Sequence, residues 1–210
     1  SILSNKQLES IVETSDERIK VRTGIKNRHI ATTENTVELA YQSAKQATEH
    51  ANIDPTEIGL IIVATFTPEQ LTPSTACLVQ AKLGLNDVKM IAFDLNAACS
   101  GFVYAMSVAN QFLKSGAIKK ALIIGAEVLS KIMDWDDRNT CVLFGDGAGA
   151  VVVEYDQDTT ESFYLNSSGD ERGVLTTTPI AVVNPLTDNQ AEPIHFQMNG
   201  QEVFKFAIHA

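Results

Sequence analysis

The sequence predicts an α/β layered fold, because strand-like and helix-like segments alternate along its first 155 residues. Two apolar runs, at 58–65 and 121–126, are typical of strands that are buried on both faces. A third apolar run at 90–95 has strand composition, and apolar side chains recur at helical spacing from Phe102 onward. A chain of 210 residues can form one large domain or one and a half smaller ones.

The elements before the first buried strand are predicted to be helical. Two capping-box patterns predict short helices at roughly 5–13 and 15–21. An amphipathic helix follows at about 34–51, and a turn at Asp54-Pro55 separates it from the strand. After that strand, a further helix is predicted at about 73–83, where a glycine ends it.

The second half of the chain is predicted to have fewer regular elements. Residues 142–154 predict a strand pair or one bent strand, interrupted by three glycines within 145–149. This stretch lacks the Gly-Lys-Ser/Thr ending of a P-loop and precedes an apolar run, so we interpret it as a tight turn with close backbone packing. Residues 162–198 are rich in loops, and a helix begins near Gly200. The chain ends inside this apolar helix, as we expect of a fragment.

Composition and charge exclude several classes of function. The net charge of −10 and the absence of a basic run disfavour a nucleic-acid surface. No apolar run approaches the ~20 residues of a membrane span, and the first residues lack the features of a signal peptide. Three widely spaced cysteines, Cys77, Cys99 and Cys141, argue for a reducing compartment and against disulfides or zinc. We therefore expect a soluble, cytoplasmic protein without a metal site.

Cys99 is the candidate nucleophile. It lies after the predicted strand at 90–95, and we expect it in the first turn of the helix that follows. Free N–H groups and the helix dipole at such a position favour an anion, and the thiolate is the reactive form of cysteine. Its small neighbours would let a substrate carbonyl approach. From these residues alone, a buried structural cysteine is an equally good interpretation.

Seven sequence blocks occur in a distinctive order along essentially the whole chain. They are Thr14-Ser15-Asp16-Glu17, Arg22-Thr23-Gly24-Ile25, Pro73-Ser74-Thr75-Ala76, Ala97-Ala98-Cys99-Ser100-Gly101-Phe102, Asp137-Arg138-Asn139-Thr140, Phe144-Gly145-Asp146-Gly147-Ala148-Gly149-Ala150 and Asn199-Gly200-Gln201-Glu202-Val203-Phe204. In this order and at this spacing, they resemble the β-ketoacyl-acyl-carrier-protein synthase III family. These thiolase-fold enzymes start bacterial type II fatty-acid synthesis.

The resemblance implies a thiolase-like layered αβαβα fold with a mixed, mostly buried sheet, incomplete here at both ends. Residues 1–155 would be the N-terminal half that carries the nucleophile, and residues 156–210 a linker and the truncated start of the second half. Cys99 would take an acyl group, typically acetyl, from acyl-CoA. It would then lose that group to the carbanion formed by decarboxylation of malonyl-acyl carrier protein. Its own backbone N–H would be one oxyanion-hole donor.

The resemblance also assigns residues to the coenzyme A site. Arg22 and Arg138 match positions that bind the adenine and phosphate end, and Thr14 matches a position that touches the adenine. Gly200 and Phe204 match the wall of the pantetheine tunnel. Guanidinium groups suit the phosphates, and a mostly apolar tunnel suits the pantetheine arm. Acyl-CoA is then a substrate, and no cofactor is expected.

The acyl pocket and two departures from the family pattern concern specificity. Phe144 and Leu175 match the pocket for the acyl chain of the primer. Thr72 stands where the family often has a bulky apolar residue that reaches into the partner subunit's acyl pocket. The smaller threonine would admit a larger primer. Arg18 replaces the usual Trp that stacks on adenine, and it adds positive charge beside the other arginines.

The catalytic His and Asn of the family lie in His-Gln-Ala-Asn and Gly-Asn-Thr-Ser motifs, neither of which occurs in these 210 residues. The glycine-rich block that completes the oxyanion hole and the first strand of the N-terminal sheet are missing too. We therefore expect residues 1–210 alone to be poorly folded and inactive in condensation, and the complete protein to be an active synthase. We also expect a homodimer that joins the N-terminal sheets, with malonyl-acyl carrier protein as the second substrate.

Two alternatives stay open. One is a related thiolase-fold condensing or acyl-transfer enzyme that uses another primer or acceptor, as Thr72 and Arg18 allow. The other is a non-catalytic fragment that dimerises or binds acyl-CoA. Acylation of Cys99 without a ketoacyl product would favour this second alternative.

Overall fold

The computed structural model describes residues 1–209, which form two compact units. The large-sheet unit comprises Ala31–Val128 and Asp146–Asn166. The small-sheet unit comprises Ser1–Ile30, Leu129–Gly145 and the chain from Ser167 onward. The division of the chain near residue 155 stays a prediction. Within residues 1–209, no helix combines the length and the apolar character that crossing a membrane requires.

Among residues 1–209, the two units contain fourteen strands and α-helices. In chain order they are β1 (Ile2–Ser4), α1 (Asn5–Leu8), α2 (Asp16–Thr23), β2 (Asn27–His29), α3 (Thr36–Ala51), β3 (Leu60–Ala64), α4 (Thr75–Lys82), β4 (Ile91–Leu95), α5 (Gly101–Lys114), β5 (Lys120–Val128), β6 (Asp146–Glu154), β7 (Leu175–Thr177), β8 (Phe196–Met198) and α6 (Gly200–His209). The predicted alternation of helices and strands is confirmed.

The large-sheet unit is built on a four-stranded mixed sheet in the order β4-β3-β5-β6. β3 pairs in parallel with both β4 and β5, and β6 closes the other side antiparallel to β5. Parallel neighbours need crossover connections, which α4 and α5 supply. The carboxyl ends of β3, β4 and β5 therefore meet at one edge of the sheet.

The pleat of β3 explains why its sequence is apolar without interruption. Ile61 and Val63 point to the face that α3 and α4 cover. Leu60 and Ile62 point to the opposite face, where they pack with small residues of α5. All five residues of the strand are buried. Burying each large aliphatic side chain contributes about 1.5–3 kcal/mol, so this double-sided core stabilises the unit.

β6 differs from the sequence prediction. We expected a strand pair or bent strand broken by glycines, but the strand is continuous, and the interpretation of Gly147 and Gly149 as a tight turn is wrong. Antiparallel pairing with β5 along the whole strand overrides the local preference of glycine, with Gly149 opposite Gly125. Close packing does occur at Gly145, where an added Cβ would lie 2.9 Å from the carbonyl oxygen of His29.

The small-sheet unit contains two separate two-stranded sheets. β1 pairs antiparallel with β2, and β7 pairs antiparallel with β8. The helix predicted at 5–13 is shorter than expected, because α1 ends at Leu8. α2 begins after Ser15, whose hydroxyl accepts a hydrogen bond from Arg18 N–H, and ends at Gly24 in the left-handed conformation.

Candidate functional site

Cys99 lies between a strand and a helix, as the sequence predicts. A short 3₁₀ turn, Ala98–Ser100, links the end of β4 to α5. Cys99 lies in this turn, so the prediction that it lies in the first turn of the helix is wrong, because α5 begins only at Gly101. The residue is exposed. Cys141, by contrast, is buried, and burial raises the pKa of its thiol. The exposed thiol beside the start of α5 is therefore the more accessible nucleophile of the two.

The backbone of this turn is unusual. Ala98 has φ 45°, in the left-handed region, which costs a non-glycine residue about 1–3 kcal/mol. Its N–H donates to Asn96 Oδ1 at 3.3 Å, and Ser100 N–H donates to the carbonyl oxygen of Ala97 at 3.1 Å. At Gly101, an added Cβ would lie 3.3 Å from Ala64 Cβ. A sharp, tightly packed turn thus presents the thiol at the carboxyl ends of the strands.

A cavity of about 310 Å³ opens beside Cys99 within the large-sheet unit. Most of its walls are glycine and alanine. The lining residues are Ala64, Ala98, Cys99, Phe102, Gly125, Ala126, Glu127, Gly147, Ala148 and Gly149. Cβ atoms added at Gly147 or Gly149 would meet nothing within 4 Å, so these glycines border open space. The glycines of β6 therefore clear room in front of the thiol.

Glu127 is a half-buried carboxylate on the wall of this cavity and is not among the residues predicted from the sequence. It accepts hydrogen bonds from Phe66 N–H at 2.9 Å and from the hydroxyls of Thr65 and Thr67. The Thr67 hydroxyl also accepts from Val128 N–H at 2.9 Å, so the group ties the ends of β3 and β5 together. Burial raises the pKa of Glu127, although these hydrogen bonds oppose the shift. The sequence feature that could have identified Glu127 is an acidic residue in an otherwise mostly apolar strand.

A second cavity, of about 130 Å³, lies in the small-sheet unit. We call it the arginine cavity, because the side chains of Arg18, Arg22 and Arg138 line it. Thr14 also lines it, so the structure brings together the three residues predicted to bind the adenine and phosphate end of coenzyme A. Arg138 Nη1 donates to the carbonyl oxygen of Glu13 at 3.3 Å. Three guanidinium groups around so small a space favour an anion.

The residues predicted for the pantetheine tunnel lie at the start of α6. Gly200 is its first residue, and Phe204 lies one turn further, with 65% of its surface exposed. Phe144, predicted for the acyl pocket, packs edge-on against Phe196 with ring centroids 5.0 Å apart. Leu175 lines a different cavity, of about 460 Å³, with Val203 and other residues. The structure thus gives Phe144 and Leu175 different surroundings.

Thr72 and Cys77 are not among the residues that line the cavity beside Cys99. Thr72 is exposed, and its carbonyl oxygen accepts from Gln70 Nε2 at 3.1 Å. Cys77 is exposed on α4, with its sulfur 3.9 Å from the carbonyl oxygen of Ala92. In the part of the chain that the structure describes, no cluster of three or more His, Cys, Asp or Glu side chains has metal-binding geometry.

Known proteins resemble this chain along its whole length. Residues 93–169 match the family described as 3-oxoacyl-[acyl-carrier-protein (ACP)] synthase III. Over 209 residues, the chain is 49% identical to the β-ketoacyl-[acyl-carrier-protein] synthase III of Clostridium acetobutylicum, covering 99% of this chain and 64% of that protein. The chain therefore spans less than two thirds of the length of the curated relatives that it matches.

Solved structures show the same similarity in three dimensions. The 3-oxoacyl-[acyl-carrier-protein] synthase III of Aquifex aeolicus VF5 superposes with a TM-score of 0.85 at 47% identity, covering 98% of this chain and 63% of that one. A priming β-ketosynthase from the R1128 polyketide biosynthetic pathway gives a TM-score of 0.85 at 30% identity, covering 100% of this chain and 62% of that one. The predicted thiolase-like α/β fold is confirmed.

Proposed function

We propose, from the similarity of the chain to β-ketoacyl-[acyl-carrier-protein] synthase III of other organisms, that the protein condenses an acyl-CoA primer with malonyl-acyl carrier protein. The product is a β-ketoacyl-acyl carrier protein that starts fatty-acid synthesis, with acetyl-CoA as the primer. The observation that carries the proposal is the exposed Cys99 on a strained strand-to-helix turn, beside a cavity with glycine and alanine walls.

The first half of the reaction is acyl transfer to Cys99. The thiolate attacks the thioester carbonyl of acyl-CoA, the carbon–sulfur bond to coenzyme A breaks, and the released coenzyme A takes up the proton that Cys99 lost. We assign the backbone N–H of Cys99 to the oxyanion that forms in between. Such a donor contributes about 10²–10³ in rate. The small residues around the thiol leave room for the tetrahedral centre.

The second half is carbon–carbon bond formation. Malonyl-acyl carrier protein loses CO₂, and the carbanion attacks the acyl-Cys99 carbonyl, which releases the Cys99 thiolate and the ketoacyl product. Donors that stabilise the enolate are needed for this step. The family's His and Asn motifs for this role do not occur in the 210 residues. We therefore assign to the residues present a role in acyl transfer only.

Recognition of coenzyme A is proposed for the arginine cavity. Arg22 and Arg138 would bind the phosphates, with Thr14 at the adenine, because charge-assisted bonds from guanidinium groups suit phosphate oxygens. Gly200 and Phe204 are proposed for the pantetheine arm, and Phe144 and Leu175 for the acyl chain. No cofactor beyond the acyl-CoA substrate is proposed.

A cytoplasmic homodimer is proposed as the working form. β4 is an edge strand that pairs only with β3 in the described sheet, and it has a single charged residue, Asp94. An edge with so little charge favours pairing with another strand. The three free cysteines are compatible with a reducing compartment.

A second candidate is a condensing enzyme with a primer other than acetyl-CoA. Thr72 at a position that is bulky in the family favours it, as does the similarity to a priming β-ketosynthase. The test of both candidates is a primer series from acetyl-CoA to branched and longer acyl-CoAs, using the complete gene product and malonyl-acyl carrier protein. Fastest ketoacyl formation from acetyl-CoA supports the leading proposal, and fastest formation from a larger primer supports the second. Acylation without any ketoacyl product contradicts both.

A further inference from the structure

Arg28 is a buried arginine that the proposed chemistry does not use. Only 4% of its surface is exposed, and its guanidinium donates to three acceptors. Nη1 donates to the carbonyl oxygen of Leu3 at 3.3 Å, and Nη2 donates to Asn5 Oδ1 at 2.7 Å and to the carbonyl oxygen of Val142 at 3.1 Å. These three acceptors are neutral amide oxygens, so the charge is balanced by dipoles and not by an ion pair.

A buried guanidinium in such a setting is costly, because desolvation of a charge is only partly offset by neutral partners. Burial accordingly lowers the pKa of Arg28, and its Nε lacks a hydrogen-bond partner among the described atoms. An apolar side chain of similar length would fill the same space without that cost. The bonds that Arg28 makes must therefore matter for more than packing.

The hydrogen bond from Arg28 to Asn5 leads to α2. Asn5 accepts from Arg28 through Oδ1, and through Nδ2 it donates to Asp16 Oδ1 at 2.9 Å. Asp16 is the first residue of α2, the helix that brings Arg18 and Arg22 to the arginine cavity. One amide thus connects the buried guanidinium to one wall of the cavity.

The hydrogen bond from Arg28 to the carbonyl oxygen of Val142 leads to another part of the cavity wall. Val142 itself lines the arginine cavity, together with Arg138 and Asn139 from the same turn. Asp137 braces this turn, because its Oδ1 accepts from Asn139 N–H at 2.9 Å and its Oδ2 from the Thr140 hydroxyl at 2.9 Å. By bonding the carbonyl oxygen of Val142, Arg28 fixes this braced turn relative to β2.

We propose that Arg28 is a positioning residue that sets the spacing between the two walls of the arginine cavity, and thereby the affinity for the phosphate end of acyl-CoA. It acts through Asn5 and Val142 and does not touch the ligand. The inference rests on the proposed function. The three cavity arginines repel one another, so their spacing depends on the backbone that carries them. Arg28 bonds directly to the backbone at Val142 and is linked to α2 through the side chains of Asn5 and Asp16.

The test compares Arg28→Lys with Asn5→Ala in the complete protein. Lysine keeps the charge but cannot reproduce the fork of bonds. Alanine at position 5 removes the link from Arg28 to α2, together with the 2.7 Å hydrogen bond from Asn5 Nδ2 to the carbonyl oxygen of Ile25. The control is Lys20→Gln, which breaks the exposed 2.6 Å ion pair with Asp16 and leaves the Arg28–Asn5–Asp16 chain intact. Calorimetry with coenzyme A gives Kd, steady-state assays give KM for each substrate and kcat, and thermal unfolding checks the fold.

We expect Kd for coenzyme A and KM for acyl-CoA to rise about tenfold in both variants, roughly the effect of losing one charge-assisted hydrogen bond. The kcat and the KM for malonyl-acyl carrier protein should stay at the wild-type values, as should all constants of Lys20→Gln. If Arg28→Lys does not fold, Asn5→Ala decides. Folded variants with wild-type Kd, or with a loss confined to kcat, overturn the inference. Failure of the wild-type protein to bind coenzyme A overturns the proposed site as well, which separates the two failures.

Discussion

Replacing Gly149 by Val should block acylation while leaving the fold intact. Gly149 lies on the cavity side of β6, and a Cβ there would meet nothing within 4 Å. The backbone is ordinary antiparallel strand, in which valine is favoured over glycine by up to about 1 kcal/mol. We therefore expect the free energy of unfolding to be unchanged or to rise by about that amount.

The effect on chemistry should be large, because the new side chain projects into the cavity of about 310 Å³ where we place the thioester. Displacing a reacting group by about 1 Å costs about 10²-fold in rate, and we expect at least that loss in acyl transfer to Cys99. The assay is rapid-quench mass spectrometry with acetyl-CoA, beside urea unfolding. The control is Glu154→Val, because Glu154 lies on the same strand, is exposed and is not among the residues that line the cavity. Wild-type acylation by folded Gly149→Val would refute the placement of the thioester.

Glu127→Gln should flatten the pH dependence of the free energy of unfolding. Burial raises the pKa of Glu127, so wild-type stability falls as pH rises from the unfolded pKa of about 4.3 through the folded pKa. The same change of urea-unfolding midpoint with pH in both proteins would contradict this. Gly145→Ala should lower the free energy of unfolding by about 1–3 kcal/mol, because the added Cβ would lie 2.9 Å from the backbone oxygen of His29. An unchanged urea-unfolding midpoint would refute this close approach. Arg18→Trp should weaken the salt dependence of coenzyme A binding, because it removes one of three positive charges from the arginine cavity. If Kd for coenzyme A changes equally with salt concentration in both proteins, Arg18 does not face the ligand.

The parts of the fold that sequence predicts well are those set by local pattern. The uninterrupted apolar run of β3 predicts a doubly buried strand, since no other arrangement removes both of its faces from water. The position of Cys99 between a strand and a helix is also predictable, because the apolar residues before it follow a strand pattern and those after it recur at helical spacing.

The remainder depends on contacts between distant parts of the chain. Gly147 and Gly149 have the local composition of a turn, and only pairing with β5 makes them a strand that clears a cavity. Arginines are usually exposed, so nothing near Arg28 in sequence indicates that it is buried against Val142. Glu127 likewise acquires its role from hydroxyls that belong to the segment after β3.

The identity of the nucleophile is the central claim, and one measurement tests it directly. The complete protein and its Cys99→Ser and Cys77→Ser variants are incubated with acetyl-CoA, and the acetylated peptide is mapped by mass spectrometry. Cys77 is the matched control because it is also exposed, whereas Cys141 is buried. We predict one acetyl thioester on Cys99, present in Cys77→Ser and absent in Cys99→Ser. Acetylation that persists in Cys99→Ser, or that maps to Cys77 or Cys141, would contradict the account.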